Sequence, residues 1–396
     1  MLQITIFLTL VNISFLTSRQ SCHVRFTMNS SEHVTLNTLS LPPHDINIPP
    51  AQYNLQAIKA SLHITTPIRI LLFLLPFGVI FWSLFIGRYE VEPLTVVKML
   101  ISQVIPIEQT WTNADETILF QVRLPRVIAA VIVGAALSMA GATYQGLFKN
   151  PLVSPDILGV SSGAGFGAAL AILFSTAAWM IQVSAFIGGI LAVLASYFLS
   201  RLYKNGQILV LVLSGVIVSA FFGALLSITK YVADPYEKLP TIIFWLMGSL
   251  SSVRYYDILT ILPAIIFGGS VLILIRWRIN LLSLSQDEAK TLGIDIKKIT
   301  RVIIICATLL TAASVCISGI IGWVGLVVPH LGRMITGPDY KKLLPLTIVM
   351  GASYLLIMDD LSRTIIATEI PLGILTALLG APFFAYLLWR RKTGWV

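Results

Sequence analysis

Side chains that could carry catalysis or bind a metal ion are few in this chain. Four of the five histidines fall within the first 63 residues, which leaves only His330 in the rest of the sequence. A metal site or a histidine-based catalytic centre needs several such groups to converge, so the sequence predicts neither. The cysteines Cys22, Cys306 and Cys316 are odd in number and form no disulfide framework. We interpret all three as structural.

The adjacent carboxylates Asp359 and Asp360 are the ionisable residues closest to the interior of an apolar segment. Carboxylates at the middle of a membrane often mark the path of an ion or a proton. These two lie near one end of the apolar segment 343–363. We therefore favour a solvated helix end over a proton site.

The glycine-rich stretch 146–165, GLFKNPLVSPDILGVSSGAG, could be a phosphate loop or a device for packing membrane helices. A nucleotide-binding loop needs the G-x-x-x-x-G-K-[ST] pattern after a strand, and the sequence offers neither. Ser154, Pro155 and Asp156 instead give the N-cap, the first helical position and the acidic first turn of a predicted helix. The stretch is thus predicted to turn the chain and to begin a new helix.

The composition indicates which elements must position these residues. Hydrophobic residues make up 56% of the 396 and charged residues only 11%. We predict an all-α integral membrane protein, because helices satisfy their own backbone hydrogen bonds in lipid. Ten apolar segments fit a bilayer about 30 Å thick, the one at 321–336 being short. They are residues 68–88, 124–147, 156–175, 179–200, 208–229, 258–277, 300–320, 321–336, 343–363 and 372–390.

The distribution of basic residues predicts the orientation of these spans, because cytoplasmic loops carry the excess of Lys and Arg. With both termini cytoplasmic, the inner loops and the C-terminal tail hold fifteen of the 27 basic residues and the outer side holds eight. The net charge of +9 is then explained by topology, and binding to nucleic acid is not predicted.

The first 64 residues differ from the rest. Residues 28–61 are polar and rich in proline, and the apolar stretch before them lacks the charged start and the cleavage site of a signal peptide. We predict a poorly ordered or mis-started extension at 1–64, followed by one transmembrane domain at 65–396.

The segment 279–299 is the longest loop on the predicted cytoplasmic side. Ser285 and Glu288 form a capping box, and Gly293 is placed to end the short helix that they begin. A helix of about two turns is marginal in water unless something packs on it. We favour a docking element for another protein over a surface amphipathic turn.

An internal repeat is also visible. RVIAAVIVGAA at Arg126 precedes Pro155 by 29 residues, and RVIIICATLLT at Arg301 precedes Pro329 by 28. With ten spans the two copies start on opposite sides of the membrane. We therefore predict a weak inverted repeat, as in many transporters.

Four stretches together carry a resemblance to a known family. Residues 123–168 (RLPRVIAAVIVGAALSMAGATYQGLFKNPLVSPDILGVSSGAGFGA), 284–299 (LSQDEAKTLGIDIKKI), 319–337 (GIIGWVGLVVPHLGRMITG) and 369–391 (EIPLGILTALLGAPFFAYLLWRR) resemble permease subunits of the FecCD type. These belong to ABC importers of ferric siderophores, haem and cobalamin. The resemblance covers residues 65–396 and leaves the first 60 or so unexplained.

The resemblance implies a multi-pass, ten-helix permease of the bacterial inner or cell membrane. The permease works as a dimer with a second copy or a paralogue, two ATPase subunits and an extracytoplasmic substrate-binding protein. The chain itself is then no enzyme and binds no cofactor, because ATP and Mg belong to the ATPase subunits. The short helix in 279–299 would be the coupling helix that contacts the ATPase. Its residues are Ser285, Gln286, Asp287, Glu288, Ala289, Leu292 and Gly293.

The resemblance also implies roles for residues on the outer side and along the path. Arg123, Arg126 and Arg363 match positions that face acidic residues of the binding protein, whereas charge alone would predict only solvated helix ends. The translocation path is expected beside helices that pack closely through small residues. The glycines concerned are Gly134, Gly141, Gly159, Gly163 and Gly167.

The predicted function is ATP-driven import by alternating access, with a ferric siderophore as the expected substrate and haem or cobalamin next. Two other classes stay open. An ion-coupled secondary transporter would need a carboxylate at mid-membrane depth. A membrane-embedded lipid-modifying enzyme would need clustered His, Asp or Glu at one interface.

Overall fold

The computed structural model describes residues 66–175, 177–203, 208–283 and 295–390. Within those ranges the regular structure is entirely helical. Residues 1–64 lie outside the described residues, so the poorly ordered or mis-started extension stays a prediction.

Fourteen α-helices follow one another in the described residues. They are α1 Thr66–Phe85, α2 Pro93–Ser102, α3 Asn113–Thr117, α4 Leu124–Leu147, α5 Val160–Phe174, α6 Ala178–Arg201, α7 Ile208–Val232, α8 Lys238–Met247, α9 Tyr255–Leu274, α10 Arg276–Asn280, α11 Ile296–Ser318, α12 Val324–Thr336, α13 Tyr340–Thr364 and α14 Leu372–Arg390. A π-helical stretch, Ile118–Arg123, joins α3 to α4, and a 3-10 turn, Leu281–Ser283, follows α10.

Each of the ten predicted spans coincides with one of these helices. Six helical stretches are long and apolar enough to cross a membrane in the described part of the chain, and shorter apolar helices accompany them. The six are Asn113–Leu147, Ala178–Arg201, Ile208–Val232, Tyr255–Leu274, Ile296–Ser318 and Tyr340–Thr364. The prediction of an all-α, multi-pass membrane protein is confirmed. The short helices α2, α3, α8 and α10 were not predicted.

The six long helices differ in how much of their apolar surface is buried in the described part of the bundle. In each long helix we consider the most apolar 18 residues. Of these, 78% are buried in the stretch Asn113–Leu147, which contains α4, and 72% are buried in α11 and in α13. The same share is 28% for α6 and α9 and 22% for α7. Since all of these helices are apolar, the difference marks α6, α7 and α9 as the helices that turn toward lipid or another chain.

Helix α4 packs against α12 and α13 through glycines. A Cβ atom built on Gly141 would lie 1.9 Å from the carbonyl oxygen of Gly325 in α12. One on Gly134 would lie 2.2 Å from the carbonyl oxygen of Gly351 in α13. These backbones approach more closely than any side chain at those positions would allow, as is typical of helix packing in membranes.

The predicted helix start at Ser154, Pro155 and Asp156 is wrong. Helix α5 begins at Val160, and its N-cap is Gly159 in the left-handed region with φ 88°. Residues 154–159 form turns instead, in which the Gly159 N–H donates to the Asp156 carbonyl at 2.7 Å. The left-handed turn delays the helix because glycine is the residue that adopts that conformation at little cost.

Two of the glycines predicted to pack closely beside the path, Gly163 and Gly167, contact the backbone of α6. A Cβ on Gly163 would lie 2.3 Å from the Gly188 carbonyl oxygen, and one on Gly167 would lie 2.1 Å from that of Ser184. Both of these oxygens belong to α6, so Gly163 and Gly167 set the close approach of α5 and α6. Gly159 lies outside the helix and is used for its φ angle.

The two repeat copies both fold as a long helix, a connection and a shorter helix. The first is α4 with α5, of 24 and 15 residues, and the second is α11 with α12, of 23 and 13 residues. The inverted relation between the copies stays a prediction.

Candidate functional site

Charged side chains meet where α1 ends, α4 begins and α13 ends. We call this group the arginine–carboxylate cluster, and its members are Arg123, Arg126, Asp359, Asp360, Arg363 and Glu369. Positive and negative groups are present in equal number. A balanced cluster can be buried because each charge is compensated by its neighbours.

Arg126 holds two carboxylates at once. Its Nε atom donates to both oxygens of Asp359 at 2.9 Å, and its Nη1 atom donates to Oε1 of Glu369 at 2.9 Å. The side chains of Arg126 and Asp359 are 6% and 0% exposed, whereas that of Glu369 is 25% exposed. Arg126 therefore connects a fully buried carboxylate with one at the surface.

Arg363 closes the cluster between α13 and α1. Its Nη2 atom donates to Asp360, to the Ser83 hydroxyl at 2.6 Å and to the Ser83 carbonyl oxygen at 3.1 Å. The Ser83 hydroxyl in turn donates to Asp360 Oδ1 at 2.6 Å. Charged hydrogen bonds of this kind join the last turns of α1 and α13.

Arg123 lies at the end of the π-helical stretch and binds backbone rather than carboxylates. Its Nη1 atom donates to the Leu84 carbonyl oxygen at 2.8 Å, and its Nη2 atom donates to that of Tyr89. A Cβ on Gly87 would lie 2.7 Å from the Arg123 guanidinium. The π stretch thus directs Arg123 onto the C-terminus of α1, where carbonyl oxygens lack helical partners.

The expectation of solvated helix ends is wrong for these residues. Asp359 and Asp360 are 0% and 1% exposed, and the three arginines are between 3% and 5% exposed. The reason is mutual compensation, because each arginine finds carboxylates or carbonyl oxygens within its own chain. The docking role of the arginines stays a prediction.

A second polar group joins helix ends at the opposite end of α4. Arg333 at the end of α12 donates to Gln145 of α4, whose Nε2 atom donates to the Val153 carbonyl oxygen at 3.2 Å. Asn280 of α10 donates to Asp339 at 2.8 Å and accepts from the Tyr340 N–H at 2.9 Å. The ends of α4, α10, α12 and α13 are therefore held together on the side predicted to be cytoplasmic.

The predicted coupling helix follows this polar group in the chain. Its seven residues fall in the range 284–294, which lies outside the described residues. The described chain reaches Ser283 on one side and resumes at Asp295 on the other. Asp295 accepts from the Lys298 N–H, which lowers the pKa of its carboxyl and fixes the start of α11.

Asp156 lies partly buried in the turn before α5. Burial raises the pKa of its carboxyl, and the Ser161 hydroxyl, which donates to it, offsets part of that effect. Asp156 thus anchors the first turn of α5 from outside the helix.

A cavity of about 670 Å³ opens between the end of α8, the segment 319–323 and α14. Each residue that lines it is apolar or glycine, Met247, Ile320 and Leu378 among them. Trp323 forms part of the wall in the left-handed conformation, with φ 67°, and its ring contacts that of Phe384 with centroids 6.0 Å apart. The cavity is wide, and its apolar wall can make weak contacts with a bound molecule but contains no charged side chain among the lining residues.

Sequence reasoning missed the wall of this cavity and the role of Glu369. The five glycines predicted beside the path are at helix contacts or at the turn before α5, and their place on the path stays a prediction. Glu369 was visible as an isolated acid between two apolar segments. Its partner Arg126 is 243 residues away, however, and spacing cannot reveal such a pair.

Most of the chain is similar in sequence to known transport proteins. Residues 72–390 match the model of the FecCD transport family. A molybdate import system permease protein of Haemophilus influenzae is 40% identical over 312 residues, which are 79% of this chain and 92% of that protein. A probable iron chelatin transport system permease protein of Helicobacter pylori is 44% identical over 275 residues, or 69% of this chain and 83% of that protein.

A solved structure is similar over its whole length. It is described as an inward-facing conformation of a metal-chelate type ABC transporter. It has 39% sequence identity to this chain and a TM-score of 0.73, and the match covers 82% of this chain and 100% of that one.

Proposed function

Because the chain belongs to the FecCD transport family, we propose that it moves an iron chelate across the membrane as a permease subunit. Subunits of this family are ABC importer permeases and are not themselves enzymes. The energy for transport therefore comes from another subunit. We assign ATP and Mg to a partner ATPase.

The observation that carries the proposal is the family match over residues 72–390. This range runs from within α1 to the end of α14 and so includes nine of the ten predicted spans completely and most of the first. The iron chelatin permease of Helicobacter pylori supports a ferric chelate as the substrate. A ferric siderophore is the first choice, and haem or cobalamin follow.

Molybdate is a second candidate substrate. The observation that favours it is the identity of 40% to the molybdate permease of Haemophilus influenzae, which is matched over 92% of its length. The apolar wall of the cavity fits a large chelate better, because a bare oxyanion gains nothing from apolar contacts.

The proposed assembly contains two permease chains, two ATPase subunits and an extracytoplasmic binding protein in a bacterial inner or cell membrane. Exposed apolar side chains on α7, such as Leu213 and Phe221, support contact with lipid. Leu378 on α14 is 64% exposed beside the cavity, which supports a second permease chain on that face. Both termini would lie in the cytoplasm.

The proposed mechanism is alternating access driven from outside the chain. Closure of the ATPase dimer would move the coupling helices and tilt the paired bundles. The cavity beside α8 and α14 would then open to the docked binding protein on one side or to the cytoplasm on the other. Weak apolar contacts let a rigid chelate pass without being retained.

The arginine–carboxylate cluster is proposed as the docking region for the binding protein. Acidic side chains of that protein would approach Arg126 and Arg363 from outside, where Glu369 already marks the surface edge. Charge pairs at a rim contribute mainly to the rate and the register of docking.

The coupling segment provides the test of the proposed function. Replacing Glu288 with arginine reverses the charge in the middle of the segment that is proposed to contact the ATPase. We expect substrate-stimulated ATP hydrolysis to fall at least about tenfold, which corresponds to about 1.4 kcal/mol. The measurement is hydrolysis by the purified complex in nanodiscs, together with copurification of the ATPase subunit.

Glu116→Arg is the matched control, since Glu116 is exposed at the opposite end of the bundle. It should leave hydrolysis and copurification unchanged. Unchanged values for Glu288→Arg as well would show that this segment is not the contact with the ATPase.

A further inference from the structure

Glu369 is the surface member of the arginine–carboxylate cluster. It belongs to the segment 365–371, which connects α13 to α14. Its Oε1 atom accepts from Arg126, while its Oε2 atom is buried and takes no hydrogen bond from the described part of the chain. One half of this carboxylate is therefore satisfied and the other half is not, which costs free energy.

The chain is joined to the cavity wall three residues after Glu369, at the start of α14. The Leu372 N–H donates to the Gly248 carbonyl oxygen at 2.9 Å, just after the end of α8. A Cβ on Gly373 would lie 2.5 Å from the Met247 carbonyl oxygen and 3.0 Å from that of Ile320. Gly373, Met247 and Ile320 all line the cavity.

Both ends of the segment are hydrogen-bonded to α13, and at its start the Ile365 N–H donates to the Leu361 carbonyl oxygen at 3.2 Å. Ser362 and Ile370 exchange two hydrogen bonds, with the Ser362 hydroxyl donating at 2.6 Å and the Ile370 N–H donating at 3.1 Å. Ile365 and Ile366 between them are 52% and 50% exposed. The bond from Arg126 to Glu369 joins the segment to α4.

We infer that Glu369 occupies Arg126 in place of a carboxylate of the docking protein and is displaced when that protein binds. This inference rests on the proposed docking role of the cluster. Arg126 keeps its buried partner Asp359 throughout, because that carboxylate is inaccessible. An incoming carboxylate therefore competes with Glu369 alone, and the exchange leaves the charge of the cluster balanced.

Displacement of Glu369 has a consequence at the cavity. It releases the segment 365–371 from Arg126, and this segment leads directly into α14, where Leu372 is bonded to Gly248 and Gly373 lines the cavity. Docking on the outer surface and the position of α14 are then coupled through one ion pair. Such a coupling is reciprocal, so a segment already released should bind the partner more tightly.

Replacing Glu369 with glutamine tests this inference, because glutamine keeps the size of the side chain and removes its charge. If Glu369 holds Arg126 about nine-tenths of the time, removing the competitor lowers the Kd for the binding protein about tenfold. The measurement is binding of the purified substrate-binding protein to the complex in nanodiscs. Hydrogen exchange of the peptide 365–373 is followed in the same samples.

The exchange data distinguish release from simple damage. In the unchanged protein, addition of the binding protein should speed exchange at the amides of Ile370 and Leu372. In Glu369→Gln the same amides should exchange fast before the binding protein is added, and its addition should not speed their exchange further. Glu108→Gln is the matched control on an exposed residue near the same end, and it should behave as the unchanged protein does.

Two outcomes would overturn the inference, and they can be told apart from failure of the docking proposal. Equal or weaker binding of the binding protein by Glu369→Gln would show that Glu369 does not compete for Arg126. Hydrogen exchange of the peptide 365–373 that stays the same when the binding protein is added would show the same. Docking through charge is tested by ionic strength, since the screening length falls from about 10 Å at 0.1 M to about 3 Å at 1 M salt. Binding that does not change over this range would remove the docking proposal itself.

Discussion

Replacing Asp359 with alanine is expected to lower the free energy of unfolding by about 3–5 kcal/mol. Asp359 is fully buried and accepts two hydrogen bonds from Arg126, and Arg363 Nε lies 3.7 Å from its second oxygen. Without Asp359, the buried guanidinium of Arg126 keeps the partly exposed Glu369 as its carboxylate partner. A buried charge without compensation is among the costliest changes that one substitution can make.

The measurement is thermal or denaturant unfolding of the purified chain in detergent or nanodiscs. Glu90→Ala is the control, since Glu90 is an exposed carboxylate near the same end of the bundle. The double variant with Asp359→Leu and Arg126→Met should recover part of the loss, because apolar side chains replace a buried pair at little cost. Unchanged stability of Asp359→Ala would show that the cluster does not hold these helices together.

Replacing Gly141 with leucine is expected to prevent α4 and α12 from packing. Even the Cβ atom alone would lie 1.9 Å from the Gly325 carbonyl oxygen, and both backbones belong to the interior of the bundle. Overpacking commonly costs about 1–3 kcal/mol, and an overlap with backbone cannot be relieved by a change of rotamer. We expect a loss of stability above that range and a low yield of folded protein.

Gly141→Ala and Gly223→Ala form a matched pair for this prediction. Gly223 lies in α7 and has nothing within 4 Å of an added Cβ. The alanine there should leave the melting temperature unchanged or slightly raised, because alanine favours helix. Equal melting temperatures for the two alanine variants would contradict the assigned contact.

The transmembrane helices could be predicted because their signal is local. A run of apolar residues long enough to span a bilayer can hardly fold otherwise in lipid, so length and composition suffice. The short helices α2 and α8 were missed because ten residues do not reach across the membrane. The start of α5 was misplaced because the left-handed turn at Gly159 overrode the capping signal at Ser154.

The charged cluster could be predicted only in part. Arg363 follows Asp359 by four residues and Asp360 by three. Residues at these spacings are neighbours on the surface of a helix, which indicates that Arg363 contacts both carboxylates. Their burial depends on Arg126 and on Ser83, which lie 233 and 277 residues away in the chain. Pairing over such distances is decided by the packing of the helices, so the sequence wrongly placed these carboxylates in solvent.

The central claim, transport driven by ATP, is tested most directly by uptake into proteoliposomes. The permease would be reconstituted with its ATPase and binding protein, and a radiolabelled ferric siderophore would be supplied on the side of the binding protein. We predict uptake that requires ATP on the ATPase side and stops when the phosphate-binding lysine of the ATPase is replaced. Uptake that proceeds without ATP and follows an imposed proton or sodium gradient would contradict the account.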